Sequence, residues 1–216
     1  MRYALSFSGG KDSMLALHRA VNAGYDVACL FNIYEGSSGR VRFHGIRAPL
    51  IAAQAAAIDI PLVQDHTHPD DYETVFLRLL DRLRDEGIRG IIFGNIHLAD
   101  LRAWYEERVT GRGLEHVEPL WEDPPATLVR EVIDRGYRPR LVSVDLARTP
   151  EAWLGRVLDH ALLDEMAAYP EIDACGECGE YHTFVESGPL FRRPLDLVWG
   201  ARVEMEGHAL IDATLG

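Results

Sequence analysis

Lysine is almost missing from this 216-residue chain: it occurs once, at position 11, although Lys and Arg together number 22. Arginine therefore serves wherever a generic positive charge suffices, and Lys11 marks a place that wants a compact ammonium on a flexible stem. Cysteine is also scarce. Three cysteines are odd in number and too few for a disulfide framework. Positive charge is outnumbered, 22 Lys and Arg against 34 Asp and Glu, for a formal net charge of -12. That balance speaks against nucleic acid and against anionic membrane surfaces, since both are held by clustered cations. No apolar run approaches the roughly 20 residues that span a bilayer, and the start lacks the charged-then-apolar layout of a secretory signal. A soluble, cytoplasmic protein is expected. Internal repeats, low-complexity tracts and flexible linkers are absent too.

What is present is core material: 47% of residues are apolar and 26% charged, which excludes disorder. The length suits one large domain or a domain with a smaller appendage. Tyr3 to Phe7 reads as a strand, followed by a helix with the stripe Met14, Leu15, Leu17 and Val21 that stops at Gly24. Strands are expected at Asp26 to Tyr34, Pro61 to Asp65, Ile88 to Phe93 and Leu114 to Val117. Helices are expected over Arg47 to Asp59, Asp70 to Glu86 and Leu98 to Thr110. This alternation predicts a parallel sheet with helices on both faces. The remainder changes character. A helix over Ala126 to Arg135 precedes a strand over Arg140 to Val144 and a mostly helical stretch from Glu151 to Ala168. A loop rich in Gly, Glu and Cys then leads into Thr183-Phe184-Val185, and a closing hairpin is read from Leu195, Leu197 and Trp199 against Ala201, Val203 and Met205. The boundary between the halves is set at residue 118, giving 1–118 and 119–216.

The first strand ends in Ser8-Gly9-Gly10-Lys11-Asp12-Ser13 and runs into a helix. Gly9 and Gly10 let the main chain approach a ligand, and N–H groups at the helix start converge where the dipole favours an anion. Lys11 adds a point charge, and Ser8 and Ser13 add hydroxyls. Asp12 suits a metal ion carried by a nucleotide, or a cap. The other phosphate loop, G-x-x-x-x-G-K-[ST], is absent. The alternative is a plain Gly-Gly turn with a capped helix.

A second cluster lies in G-E-C-G-E-Y-H-T, where Glu177, Glu180 and His182 could bind an amine, hold Mg²⁺ or take up a proton. A solvated acidic turn is the competing reading. Cys175, Cys178 and His182 are spaced C-x-x-C-x-x-x-H, but a structural zinc needs a fourth ligand, and the glutamates would raise the thiol pKa values. No metal site is expected there. His44 follows a glycine loop, His97 stands at a strand end where open α/β sheets bind ligands, and His66 and His68 read as a solvated turn.

S-G-G-K-D-S at a first strand end resembles the pyrophosphate loop of the N-type ATP pyrophosphatases, and the whole chain is similar to the diphthine–ammonia ligase family. The likeness is carried by F-H-G-I-R at 43–47, Q-A-A-A from Gln54, I-F-G-N-I-H-L at 92–98, R-A-W-Y-E at 102–106, P-L-W at 119–121 and G-E-C-G-E-Y-H-T-F-V at 176–185. Asn95 stands where many relatives have Asp. The resemblance implies an adenine nucleotide alpha-hydrolase-like (HUP-type) ATP-binding domain over 1–118 and a smaller α+β domain for the acceptor over 119–216. It implies ATP with Mg²⁺, activation of a carboxylate as its adenylate with release of pyrophosphate, and displacement of AMP by ammonia. The family's acceptor is diphthine on elongation factor 2. ATP would contact Ser8, Gly9, Gly10, Lys11, Asp12, Ser13, Phe31, Asn32, Gly94 and Asn95. Acceptor and ammonia would meet His44, Glu177, Glu180, His182 and Thr183, with Lys11, Glu177, Glu180 and His182 catalytic. Two rival readings are a tRNA-thiolating ATP pyrophosphatase and a non-catalytic ATP- or AMP-binding module. Homo-oligomerisation is left open.

Overall fold

Short apolar segments near the start pair side by side because each is buried on both faces. The computed structural model describes residues 1–41 and 45–216, so His44 lies outside the described residues. Strands β1 (Arg2–Ser6), β2 (Asp26–Glu35), β4 (Leu62–Thr67), β5 (Gly90–Ile92) and β6 (Glu115–Val117) form a parallel array in the order β4-β2-β1-β5-β6. A two-residue strand, β3 (Arg40–Val41), runs antiparallel on the end of β2. The ten residues of β2 are enough to pair β1 through its first half and β4 through its second. The order reverses between β1 and β5, which opens a crevice at their carboxyl ends.

Helices cover both faces. α1 (Lys11–Asn22) and α2 (Ala48–Ile58) contribute to one apolar cluster, whereas α3 (Tyr72–Asp85) and α4 (Ala99–Thr110) pack aromatic and aliphatic side chains on the opposite face around Phe76 and Phe93. α1 is buried nearly all round, with Met14, Leu15 and Leu17 at 0% exposure, because a second layer lies across it. Val21, placed on the apolar stripe by its spacing, is 41% exposed at the last turn.

That second layer is a smaller antiparallel sheet in the order β8-β7-β10-β9, built from β7 (Pro139–Asp145), β8 (Tyr181–Val185), β9 (Leu197–Met205) and β10 (His208–Leu215). It carries α5 (Pro125–Asp134), which packs on α1, and α6 (His160–Met166), which packs on α5. Two local expectations need correction. Helix does not fill Glu151 to Ala168: a 3-10 turn over Glu151–Trp153 is broken by Gly155, at φ +79°. Residues 155–157 then run along β7, with Leu141 N donating to Arg156 O at 2.9 Å, before Asp159 caps α6. The closing hairpin exists, but its turn is at Glu206 and Gly207, both at positive φ, and not at Gly200. β9 is largely exposed, so its alternation carried no burial signal to mark where the strand ends.

One cluster of buried residues runs through both layers. Polar ties reinforce it. Arg40 and Arg47 both bind Asp212 on β10, with Arg40 Nη1 and Arg47 Nε at 3.1 and 3.0 Å from its Oδ1. Hydrogen bonds from Arg47 and then Arg40 hold the Asp212 carboxyl well below the usual carboxylate range, against the effect of burial. Asp212→Asn is expected to cost about 1–2 kcal/mol near neutral pH. The deficit should shrink as acid protonates the wild-type carboxylate, because a depressed pKa stabilises only above it. Denaturant melts of both proteins from neutral to acid pH check the size and the sign.

Candidate active site

The loop after β1 is shaped by close approach. Gly9 has φ +80°, and a Cβ there would lie 2.5 Å from Gln54 Oε1, so glycine is required on both grounds. Gly94, just past β5, presses on the first turn of α1. A Cβ on it would sit 3.0 Å from the Asp12 carbonyl and 3.1 Å from Ser13 N. Ser8 Oγ donates to Ser13 Oγ at 3.3 Å, and Ser13 Oγ to Gly10 O at 3.1 Å. Asn32, buried on β2, braces the strand end through Nδ2 to Phe7 O at 2.9 Å. Ser8, Gly9, Gly10, Lys11, Asp12, Ser13, Asn32 and Gly94 are thus brought together. Phe31 belongs to the apolar core, its ring 6.5 Å from that of Phe76. Asn95 turns toward the end of β6, where Nδ2 donates to Glu118 Oε1 at 2.7 Å. Glu118 is also paired with His116 (3.2 Å) and with Arg102 (3.1 Å), whose guanidinium lies over Trp121.

The second sheet delivers the other cluster directly onto this loop. Lys11 N donates to Thr183 Oγ1 at 3.1 Å, and Val185 N to Gly9 O at 3.0 Å. The Lys11 side chain is only 2% exposed. Its ammonium donates to Asp12 Oδ2 at 2.9 Å and to the Cys175 carbonyl, and lies 4.9 Å from the Tyr181 ring centroid. Burial works against that charge, but Asp12, Tyr181 and Cys175 outweigh it and hold the lysine pKa above its ordinary value.

The 173–181 loop turns at Gly176 and Gly179, at φ +68° and +85°, and spreads its polar groups to different sides. Glu177 is pushed up to about 7, first by burial and then by the Asp12 charge, partly offset by Lys11 and His97. It therefore belongs to the field of the nucleotide loop. Glu180 is 3% exposed and accepts from Asp173 N at 3.2 Å, with Arg148 Nη1 3.8 Å away. Thr183 and Tyr181 face Lys11. His182, between them on β8, projects from the opposite strand face, as strand alternation requires.

Three contributors escaped the sequence reading. Gln54, 0% exposed, donates from Nε2 to Gly9 O (2.9 Å) and Val185 O (2.7 Å). A lone glutamine in an alanine-rich helix was the available signal. Tyr181 packs under Lys11, its hydroxyl hydrogen bonded to Ala174 O. Asp173 reaches His97, with Nε2 to Oδ2 at 2.6 Å; only the fold could pair them. The thiols take no evident part. Cys175 is buried with Sγ donating to Pro125 O at 3.3 Å, and burial raises its pKa. The exposed Cys178 is also raised.

A strand, a two-glycine turn and a helix N-terminus carrying a buried lysine stand at the reversal point of a parallel sheet, the layout of an α/β protein that binds a phosphate-bearing ligand. The chain belongs to the diphthamide synthase family: residues 1–116 match the diphthamide synthase N-terminal domain and 124–213 its C-terminal domain. Relatives named diphthine–ammonia ligase include the human protein, 27% identical over 90% of this chain and 82% of that one. The zebrafish (Danio rerio) protein is 28% identical over 90% and 86%. That of Schizosaccharomyces pombe is 25% identical over 88% of this chain but only 35% of its own. Among solved structures, a predicted subunit of tRNA methyltransferase from Methanocaldococcus jannaschii aligns over 88% of this chain and 100% of that one. Its identity is 15% and its TM-score 0.49, too slight a likeness to bear on anything further. Among the described residues, no helix is long and apolar enough to cross a membrane.

Two outcomes follow from this packing. Lys11→Arg keeps the charge but forces a planar fork into the space between Asp12, Cys175 O and Tyr181. It is expected to cost about 1–3 kcal/mol and to remove stabilisation by ATP, read by thermal melts with and without the nucleotide. For Glu177, a pKa raised from 4.5 to about 7 means that the native state binds more protons than the unfolded chain in that window. Wild-type stability therefore falls as pH rises through it. Glu177→Gln lacks this slope, so the melting temperature of the variant should gain on wild type between pH 5 and 8.

Proposed function

We propose that this chain is an ATP-dependent carboxylate–ammonia ligase whose acceptor is diphthine on elongation factor 2, acting in the cytoplasm. Residues 1–118 bind ATP and residues 119–216 bind the acceptor. The observation that carries the reading is the direct seating of the second motif on the first: Thr183 Oγ1 accepts from Lys11 N at 3.1 Å, and the Cys175 carbonyl accepts from Lys11 Nζ. Adenylation needs the carboxylate within reach of the α-phosphate, so acceptor and pyrophosphate groups must share one cleft.

In this assignment Ser8, Gly9, Gly10 and Ser13 cradle the pyrophosphate with backbone and hydroxyl donors, and Lys11 neutralises its charge. Asn32 fixes the strand end under the loop. Gly94 keeps the neighbouring strand end close, with Phe31 on β2 and Asn95 in the connection after β5 beside the nucleotide. Asp12, a hard oxygen donor in the first turn of α1, fits Mg²⁺, which takes one or two carboxylates along with nucleotide phosphates. That ion would supply charge neutralisation. No group of three or more His, Cys, Asp or Glu among the described residues is placed to hold a metal.

The chemistry balances in two steps. A carboxylate oxygen attacks the α-phosphorus and the bond to the β-phosphate bridging oxygen breaks, releasing pyrophosphate. Ammonia attacks the acyl carbon, the bond to AMP breaks, and the surplus proton on nitrogen passes to Glu177, whose proton affinity near neutrality suits a general base. Glu180 shapes the loop through the Asp173 amide and Thr183 ties it to α1; His44 is assigned to the acceptor from its motif, and His182, on the opposite strand face, is given no contact with it. Burial raises the Cys175 thiol pKa, and that of Cys178 is raised as well, which disfavours the thiolate that sulfur transfer would use. Incubation with ATP, ammonium and diphthine-bearing elongation factor 2 is expected to yield AMP, pyrophosphate and the amide by mass spectrometry. ADP and free phosphate would refute the assignment.

A further inference from the structure

We infer that His97 and Asp173 form a positioning pair, a clasp across the cleft that holds the Glu177 loop at the working distance from the nucleotide loop. The inference rests on the ligase reading above and adds residues to it. His97 belongs to the connection between β5 and α4, three residues beyond Gly94, which packs on the backbone of Asp12 and Ser13. Asp173 opens the loop that carries Glu177. Its carboxylate has both oxygens engaged: Oδ2 accepts from His97 Nε2 at 2.6 Å and Oδ1 from Cys175 N at 2.6 Å. Its own N–H donates to Glu180 Oε1 at 3.2 Å. One aspartate thus converts the position of a strand end in the first sheet into the shape of a loop hung from the second.

The clasp differs from the other contacts between the layers. Gln54, Thr183 and Val185 join the layers beneath the loop and are buried. The His97 side chain is 35% exposed, so this tie holds the loop from its solvent side. The ionic groups around Glu177 are Asp12 and Lys11 from α1, His97 from the strand end and Asp173 from its own loop. Removing the imidazole frees the segment that carries Glu177. Carboxylate activation uses the phosphate loop and does not need that segment held; the ammonia step does.

The test separates the two half-reactions. Carboxylate-dependent exchange of labelled pyrophosphate into ATP reads adenylation, and AMP release with ammonium and diphthine-bearing elongation factor 2 reads amide formation. His97→Ala is expected to lower amide formation at least about tenfold with exchange within about twofold of wild type. His97→Gln, whose Nε2 can donate to Asp173 in place of the imidazole, should recover most of the rate; melts of both variants confirm folding. Equal loss of exchange and amide formation, a Gln variant no better than Ala, or an Ala variant as fast as wild type would each overturn the inference. A wild-type protein that supports no exchange would instead refute the ligase reading itself, which keeps the two failures apart.

Discussion

The structure depends on one seam, where the Gln54 amide donates to two carbonyls at once, Gly9 O and Val185 O. Gly9 belongs to the phosphate loop of the parallel sheet and Val185 to the edge strand of the antiparallel one. Leaving the buried Val185 carbonyl without this amide would cost on the order of 1–3 kcal/mol, and Gly9 O is held a second time by Val185 N, so the two layers are held in one register. The absence of a side chain on Gly9 is the other half of the constraint, since a Cβ there would press to 2.5 Å from Gln54 Oε1. Loop, helix α1 and strand β8 therefore behave as a single piece, although they come from opposite ends of the chain.

Burial of that piece explains its electrostatics. Lys11, Asp12, Tyr181 and Glu177 are crowded where water is scarce, and each charge there is felt at several others. Lys11 stays protonated because a carboxylate, a carbonyl and an aromatic face surround it. Glu177 is short of such partners and drifts toward neutrality. Two ionisable groups of one site are thus pushed in a way that leaves one as a fixed charge and the other free to exchange a proton, a division of labour expected of acid–base sites.

Much of this was legible in the sequence. The alternation of apolar runs and helix stripes up to Val117 gave the parallel sheet, since buried strands and amphipathic helices obey simple periods. The S-G-G-K-D-S loop was legible through its glycines and the solitary lysine. Glu177 and Thr183 stood out in a glycine-rich string. What was hidden had no local signature. His182 looked equivalent to Glu177 but is turned away by the two-residue period of β8, which a loop-like motif conceals. Glu180 looked like a ligand and instead braces the Asp173 amide. The pairing of His97 with Asp173 joins residues 76 apart, a distance across which no periodicity reports. The exposed β9 strand gave no burial pattern, so its turn was misplaced.

Lys11 also has a meaning beyond the site it sits in. As the only side-chain amine in the chain, and one sealed beneath a loop, it leaves the surface without any primary amine on a side chain. Chemical cross-linkers, acylating metabolites and isopeptide-forming enzymes therefore find no exposed lysine. An amine-directed label that does reach Lys11 measures how often the loop lifts from the phosphate site, which makes the residue a built-in probe of breathing motions in the native protein.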